Sequence, residues 1–238
     1  MAARNYGQYC GVTTAVELIG ERWAMLIIRD LLVGARRYTD LKQGLPRIPT
    51  NILATRLREL QESGIVRRAP YKGRGPIYEL TPYGRALEPI VLALGRWGFA
   101  AMGEPGEGDV ITPDSLTMAL RTAFQPEVAA GMPAVDYELH VADVSLRVQV
   151  AGGGLTVIPL APAPPPVGGR LPDAAPDLVF AAGPGIRNVI AGSLTPGDAI
   201  DSGVVHVLAG DEALLERFAA TFHIDTPVVP APRSELGA

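Results

Sequence analysis

The spacing of apolar residues changes character twice in the first hundred residues, and this constrains the fold more than any other feature. Residues 50–63 predict a helix with one apolar stripe. The stripe consists of Leu53, Leu57 and Leu60. Residues 65–71 and 77–80 are rich in β-branched and aromatic residues, which predicts two strands joined by the basic, glycine-rich segment KGRGP. Helical spacing then returns, so we expect a small helical domain that contains one β-hairpin.

The other helices of this half are located by their caps and breakers. Residues 13–19 and 22–33 show helical spacing, and residues 39–45 predict a short helix before a tight turn. Residues 82–102 predict a long helix with proline at its first position, in which Pro89 is expected to introduce a kink. The first half is therefore mainly α-helical.

Charge divides the chain into two parts. The formal net charge is −4, but residues 1–103 contain 15 Lys and Arg against 8 Asp and Glu, whereas residues 104–238 contain 6 against 17. A basic domain joined to an acidic one is typical of a polyanion-binding module fused to another function. The sign changes in the glycine- and acid-rich segment GEPGEGD, so we predict a linker over residues 104–113.

Several classes of protein are not expected. The chain has one cysteine, and its three histidines lack the spacing of metal ligands, so we expect no metal site, no cofactor and no enzyme activity. The N-terminus lacks the apolar core of a signal peptide, and the apolar runs are too short to span a bilayer. We expect a cytoplasmic protein without membrane contact.

The second half predicts an α+β domain over residues 114–226, followed by a flexible tail over 227–238. Three strands with period-two alternation follow an initial helix, and the Pro-rich residues 161–176 are expected to be exposed. Another strand, two short helical segments, a further strand and a last helix over residues 211–222 complete the pattern.

The order of elements in the first half is that of a winged helix-turn-helix domain, which binds double-stranded DNA. Its recognition helix needs an apolar face for packing and a polar face for the major groove. On the helix over 50–63 the candidate base-reading residues are Thr50, Asn51, Ala54, Thr55 and Arg58. The candidate phosphate-binding residues are Arg36, Arg37, Lys42 and Arg47 near the turns, and Lys72 and Arg74 in the wing.

Residues 6–102 resemble the HxlR-type, MarR-like family of bacterial regulators. The resemblance rests on the segments IGERWAMLIIRDLL, RYTDL, ILATRLRELQESGIV and YELTPYG. It implies a homodimer on a palindromic operator, joined through residues 6–19 and the helix over 82–102. The apolar residues of that helix are Leu87, Ile90, Val91, Leu94 and Trp97. One departure is Pro49, where many relatives have a serine cap, which puts the start of the recognition helix in doubt.

Cys10 has two interpretations. Some HxlR-type regulators sense oxidants or quinones through a cysteine near this place, so the resemblance implies a redox role. Alternatively, Cys10 is a small apolar residue buried at the dimer interface. No basic residue is its immediate neighbour in the sequence, which favours the second interpretation.

The second half resembles sterol carrier protein type 2-like domains over residues 114–224, most clearly in PDLVF and the later GSLTPGDAIDSGVVHVLAGDEAL. This resemblance implies a tunnel for a small apolar ligand. The candidate lining residues are Leu139, Leu146, Val148, Phe180, Leu215 and Phe218. The alternative is that they fill a solid core. We therefore expect a ligand-responsive transcriptional regulator, with a lipid carrier or scaffold that uses its winged helix for protein contacts as the alternative.

Overall fold

The computed structural model describes residues 5–71, 75–160 and 174–225, which form a helical first half and a second half built on a sheet. The elements of the first half are α1 (Gly11–Ile19), α2 (Ala24–Val33), α3 (Tyr38–Gly44), α4 (Thr50–Glu62), β1 (Val66–Pro70), β2 (Pro76–Leu80), α5 (Pro82–Arg85) and α6 (Glu88–Phe99). β1 and β2 pair in antiparallel fashion, with Val66 opposite Leu80. The predicted helical domain with one hairpin is confirmed.

The second half alternates helices with a mixed sheet. Its elements are α7 (Pro113–Ala123), α8 (Pro126–Ala130), β3 (Val135–Val141), β4 (Val144–Ala151), β5 (Gly154–Pro159), β6 (Leu178–Ala182), α9 (Ile186–Ile190), α10 (Pro196–Asp201), β7 (Val205–Gly210) and α11 (Leu214–Thr221). The strands lie in the order β5-β4-β3-β6-β7. Only the pair β3–β6 is parallel among these neighbours, because the chain crosses over between those two strands.

The core of the first half explains the position of α4. Leu53, Leu57 and Leu60 are at most 1% exposed and pack with apolar residues of α2 and α3. Burial of three leucines on one side of α4 leaves the opposite side of the helix for solvent. The helix stripe that the sequence predicts is confirmed.

The expected single helix over residues 82–102 is wrong, because the chain forms two helices there. α5 ends at Arg85, and α6 starts at Glu88 with Pro89 in its first turn. Proline has no N–H to donate within a helix, but the first turn of a helix does not need that donor. Pro89 therefore begins a new helix rather than bending a continuous one.

The sheet of the second half buries one face. Along β3 every second residue is buried, from Val135 to Val141, as the alternation predicts. Four aromatic rings form the centre of this core, with centroid distances from 4.6 to 6.5 Å between neighbours. The four are Tyr137, Phe180, Phe218 and Phe222. Helices over one face of a mixed sheet agree with the predicted α+β class.

Helix α7 packs against both halves. Met118 belongs to the apolar core of the first half, whereas Leu120 and Ala123 belong to that of the second. Thr112 caps the helix by accepting a hydrogen bond from the Ser115 N–H at 3.1 Å. The segment after the predicted linker thus leads directly into a helix that the two cores share.

A buried ion pair ties α7 to the first half. The Arg36 guanidinium donates to both carboxylate oxygens of Asp114, with Nε–Oδ2 at 3.0 Å and Nη2–Oδ1 at 2.5 Å. The two residues are 5% and 7% exposed. Arg121 of the same helix donates to the carbonyl of Leu32 at 2.9 Å. Because such a pair is largely shielded from water, loss of one partner leaves an uncompensated charge.

Asp30 lies beside this pair and is fully buried. Arg29 Nε donates to its Oδ1 at 2.8 Å, while its Oδ2 has no hydrogen-bond partner among the described residues. Burial, helped by the negative charge of Asp114, raises the pKa of Asp30 to about 6 against the opposing effects of Arg29 and Arg36. The ionised form of Asp30 is therefore costly to the folded chain.

Substitution Asp114→Ala should destabilise the whole chain, because it leaves the Arg36 guanidinium buried without its carboxylate. We expect a loss of about 3–5 kcal/mol in the free energy of unfolding, measured by urea denaturation. The exposed Asp201→Ala variant is the control and should stay within about 0.5 kcal/mol of the parent. Equal stability of the two variants would show that the ion pair contributes nothing.

Substitution Asp30→Asn should stabilise the chain above pH 6. The pKa of Asp30 is raised from 3.8 to about 6 in the folded chain. The free energy of unfolding therefore falls as the pH rises through this interval, by up to about 3 kcal/mol. The variant should therefore have a higher Tm than the parent at pH 7.5, with the difference vanishing below pH 4. A lower Tm of the variant at pH 7.5 would contradict the burial cost.

Candidate nucleic-acid interface

The N-terminal part of α4 presents a polar face to solvent. Four of the five predicted base-reading residues are exposed: Thr50, Asn51, Ala54 and Arg58. The fifth, Thr55, is half-buried. The Tyr38 hydroxyl donates to the carbonyl of Thr50 at 2.7 Å and so links the start of α4 to α3. The structure thus brings this predicted group together on one helix face.

The start of α4 has no side-chain cap. Pro49 occupies the cap position in an extended conformation, and α4 begins at Thr50, as the sequence predicts despite the missing serine. The first N–H groups of a helix lack partners within the helix and favour an anion. Without a side chain over them, these groups can hydrogen-bond a DNA phosphate.

The predicted phosphate-binding residues near the turns do not share one environment. The prediction for Arg36 is wrong, because its guanidinium is buried against Asp114 and faces away from solvent. Arg37 is half-buried, with its guanidinium carbon 6.0 Å from the centroid of the Tyr71 ring. Lys42 Nζ donates to the carbonyl of Pro46 at 2.9 Å, and Arg47 is exposed.

The hairpin adds two basic residues that the sequence analysis did not single out. Arg67 and Arg68 are exposed on β1, and Arg67 pairs with Glu79 at 2.8 Å. Arg68 lines a surface hollow of about 420 Å³ at the hairpin. The two consecutive arginines in a predicted strand next to the basic hairpin tip could have pointed to these residues. The predicted wing residues Lys72 and Arg74 lie outside the described residues.

Large apolar side chains are exposed on the N-terminal segment and on α6. Trp97 is 75% exposed, and Ile90 and Leu94 are about half exposed. The N-terminal residues with large exposed apolar side chains are Tyr6, Tyr9, Val12 and Val16. Of the other predicted interface residues, Leu87 and Val91 are half-buried and pack on the core of the first half. Several large exposed apolar side chains on one helix are typical of a site of protein association.

Cys10 is exposed in the single chain, so burial would require a partner subunit. It occupies the cap position of α1, where the backbone N–H groups of Thr13 and Val12 lower the pKa of its thiol from 9.0. Backbone N–H groups at a helix start stabilise a thiolate as they stabilise other anions. The sequence analysis considered only basic neighbours of Cys10 and so did not predict the lowered pKa of its thiol.

The six candidate ligand-lining residues all lie in the core of the second half. Each is at most 1% exposed. They are Leu139, Leu146, Val148, Phe180, Leu215 and Phe218. Phe180 and Phe218 pack edge to face with their centroids 5.1 Å apart. In this structure these side chains belong to one apolar cluster, which agrees with the alternative of a filled core.

Known proteins match the first half. The family described as HxlR-like helix-turn-helix matches residues 18–105. The transcriptional regulator YkvN of Bacillus subtilis is 35% identical over 113 residues, which cover 45% of this chain and 96% of YkvN. YdeP of the same organism, also an HTH-type transcriptional regulator, is 35% identical over 37% of this chain and 71% of YdeP. The solved redox regulator HypR in its oxidised form is 34% identical, covers 40% of this chain and 99% of that chain, and has a TM-score of 0.37.

The thiol of Cys10 should ionise below the ordinary range. Because backbone hydrogen bonds lower its pKa, the rate of alkylation by iodoacetamide should rise with pH around a midpoint below 9.0. Mass spectrometry can follow this rate directly, since Cys10 is the only cysteine. The urea-unfolded chain is the control and should show an ordinary midpoint. Identical midpoints in the two states would contradict the role of the helix start.

Proposed function

The chain belongs to the HxlR-like helix-turn-helix family of transcriptional regulators, and we propose that it is a sequence-specific DNA-binding regulator that acts as a homodimer. This proposal rests on one observation, which is that α4 has a buried apolar face and an exposed polar face. Its leucines are buried, while Thr50, Asn51, Ala54 and Arg58 are exposed next to an uncapped helix start. Its relatives YkvN and YdeP are transcriptional regulators, which supports regulation rather than catalysis.

The exposed residues of α4 have the chemistry for reading base edges in the major groove. Asn51 can form paired hydrogen bonds with adenine, and Arg58 can do so with guanine. Ala54 can contact the methyl group of thymine. Arg68 and the wing residues Lys72 and Arg74 are suited to phosphate or minor-groove contact.

The exposed apolar side chains of α1 and of α6 support a dimer. A second copy would cover Trp97, Leu94 and Val12, which a lone chain exposes to water at a cost in free energy. Two DNA-binding domains related by a two-fold axis would read a palindromic operator.

We also propose that the protein binds its operator in the cytoplasm. Among the described residues, no helix has the length and hydropathy that crossing a bilayer requires.

A second candidate function is regulation through oxidation of Cys10. Its exposure and the lowered pKa of its thiol favour this function. Oxidation that leaves operator affinity unchanged would remove this candidate. We keep as predictions a second domain over residues 114–226 that resembles sterol carriers and a response of that domain to a small apolar ligand. The alternative of a lipid carrier or scaffold also stays a prediction.

The proposed function can be tested by selecting duplexes from a randomised DNA pool with the full chain and titrating the winner at two salt concentrations. DNA binding through several phosphates predicts affinity that falls steeply as salt rises, about 0.9 in log K per log salt for each phosphate contact. Failure to select any duplex would overturn DNA binding, and a scaffold would give that result.

Base reading by Arg58 can be separated from phosphate contact by two matched substitutions. Arg58→Ala should relax the preference at one base pair by about 1–3 kcal/mol. Arg68→Ala should weaken all duplexes alike and reduce the salt slope by about one. Competition between single-base variants of the selected duplex measures both effects. A uniform loss of affinity in both variants would show that Arg58 does not read a base.

A further inference from the structure

We propose that the acidic segment 104–109 is an autoinhibitory element that occupies Arg47, a residue of the DNA-facing turn, until DNA displaces it. The proposal rests on the proposed DNA binding and adds an internal competitor for it. Arg47 lies between α3 and α4, three residues before the first exposed residue of the recognition helix. A basic side chain at this place is positioned to neutralise a backbone phosphate next to the helix start.

The segment makes a direct contact with Arg47. Nη2 of Arg47 donates to the carbonyl of Gly108 at 2.9 Å, and the same nitrogen lies 3.8 Å from Oδ1 of Asp109. The carbonyl and the carboxylate supply the oxygen acceptors that a phosphate would otherwise supply. Both charged side chains remain more than half exposed, so DNA can reach Arg47 without unfolding the domain.

The local turn of the segment is built for this contact. The Gly106 N–H donates to Oδ2 of Asp109 at 2.9 Å, and the Asp109 N–H donates back to the Gly106 carbonyl at 3.0 Å. The turn thereby holds one Asp109 oxygen and leaves the other towards Arg47. Gly108 has φ +73°, and a Cβ there would lie 3.2 Å from Nη2 of Arg47, so a larger residue would be strained and crowded.

The other end of the segment is attached to the second half. Arg187 at the start of α9 donates to Glu104 at 2.6 Å and also to the carbonyl of Met102. The segment therefore runs from a basic anchor on the second half to a basic residue of the DNA-reading half. Through this connection, the second half holds the acidic segment 104–109 beside the turn that precedes α4.

The contact between Arg47 and Asp109 is weak enough for DNA to displace it. An exposed ion pair contributes about 0.2–1 kcal/mol. Removal of the Asp109 charge should therefore increase DNA affinity only by about 1.4- to fivefold, the range that this energy corresponds to. A purely structural clip would behave differently, since its loss would lower stability and leave the affinity unchanged or reduced.

The test uses the full chain and a selected duplex, with Asp109→Asn and Glu107→Gln as matched variants. Asparagine keeps an oxygen for the Gly106 N–H but loses the charge. Glu107 lies on the same segment and is exposed, and its loss changes the net charge equally. We expect tighter binding for Asp109→Asn, because DNA no longer has to displace a carboxylate from Arg47, and little change for Glu107→Gln.

A second measurement places both substitutions in an Arg47→Ala background. There Asp109→Asn should have no more effect than Glu107→Gln, because the residue that Asp109 blocks is gone. Equal effects of the two substitutions in the parent chain would overturn the proposal and indicate general charge repulsion. Unchanged affinity of Asp109→Asn with lower thermal stability would also overturn it and indicate a structural clip. If no duplex is bound by any variant, DNA binding itself fails.

Discussion

A buried guanidinium needs a carboxylate, and this requirement joins the two halves of the chain. Arg36 lies in the first half between α2 and α3, and its partner Asp114 lies on α7, 78 residues later. The pair sets α7 against the first half, where Met118 enters the core, while the C-terminal end of α7 packs under the sheet. The connecting segment 103–112 passes the turn before α4, where Arg47 donates to the Gly108 carbonyl, and Arg187 of the second half holds it at Glu104.

This arrangement divides the arginines of the first half by role. Arg36 holds the halves together, Arg47 contacts the connecting segment, and Arg58 is exposed on α4 without a described partner. The net positive charge of the first half therefore overstates how many of its arginines are free to contact DNA. The N–H groups at the uncapped start of α4 add a positive end to the same surface.

Local structure was readable from the sequence because it depends on near neighbours. The stripe of α4, the alternation of β3 and the bounds of β6 follow from side-chain period and β-branching. The pairing of Arg36 with Asp114 depends on tertiary packing, which no local pattern encodes. The six candidate ligand-lining residues illustrate the same limit, since inward-facing apolar residues look identical whether they surround a tunnel or fill a core.

Reading of DNA by α4 can be tested most directly by photo-crosslinking on a selected duplex. A photoreactive residue would replace Ala54 on the exposed face of α4, and in a control chain it would replace Ala93, which is exposed on α6. If α4 enters the major groove, position 54 should crosslink to DNA at a defined base, and position 93 should not. Crosslinks from position 93 with none from position 54 would contradict the assignment of α4 as the recognition helix.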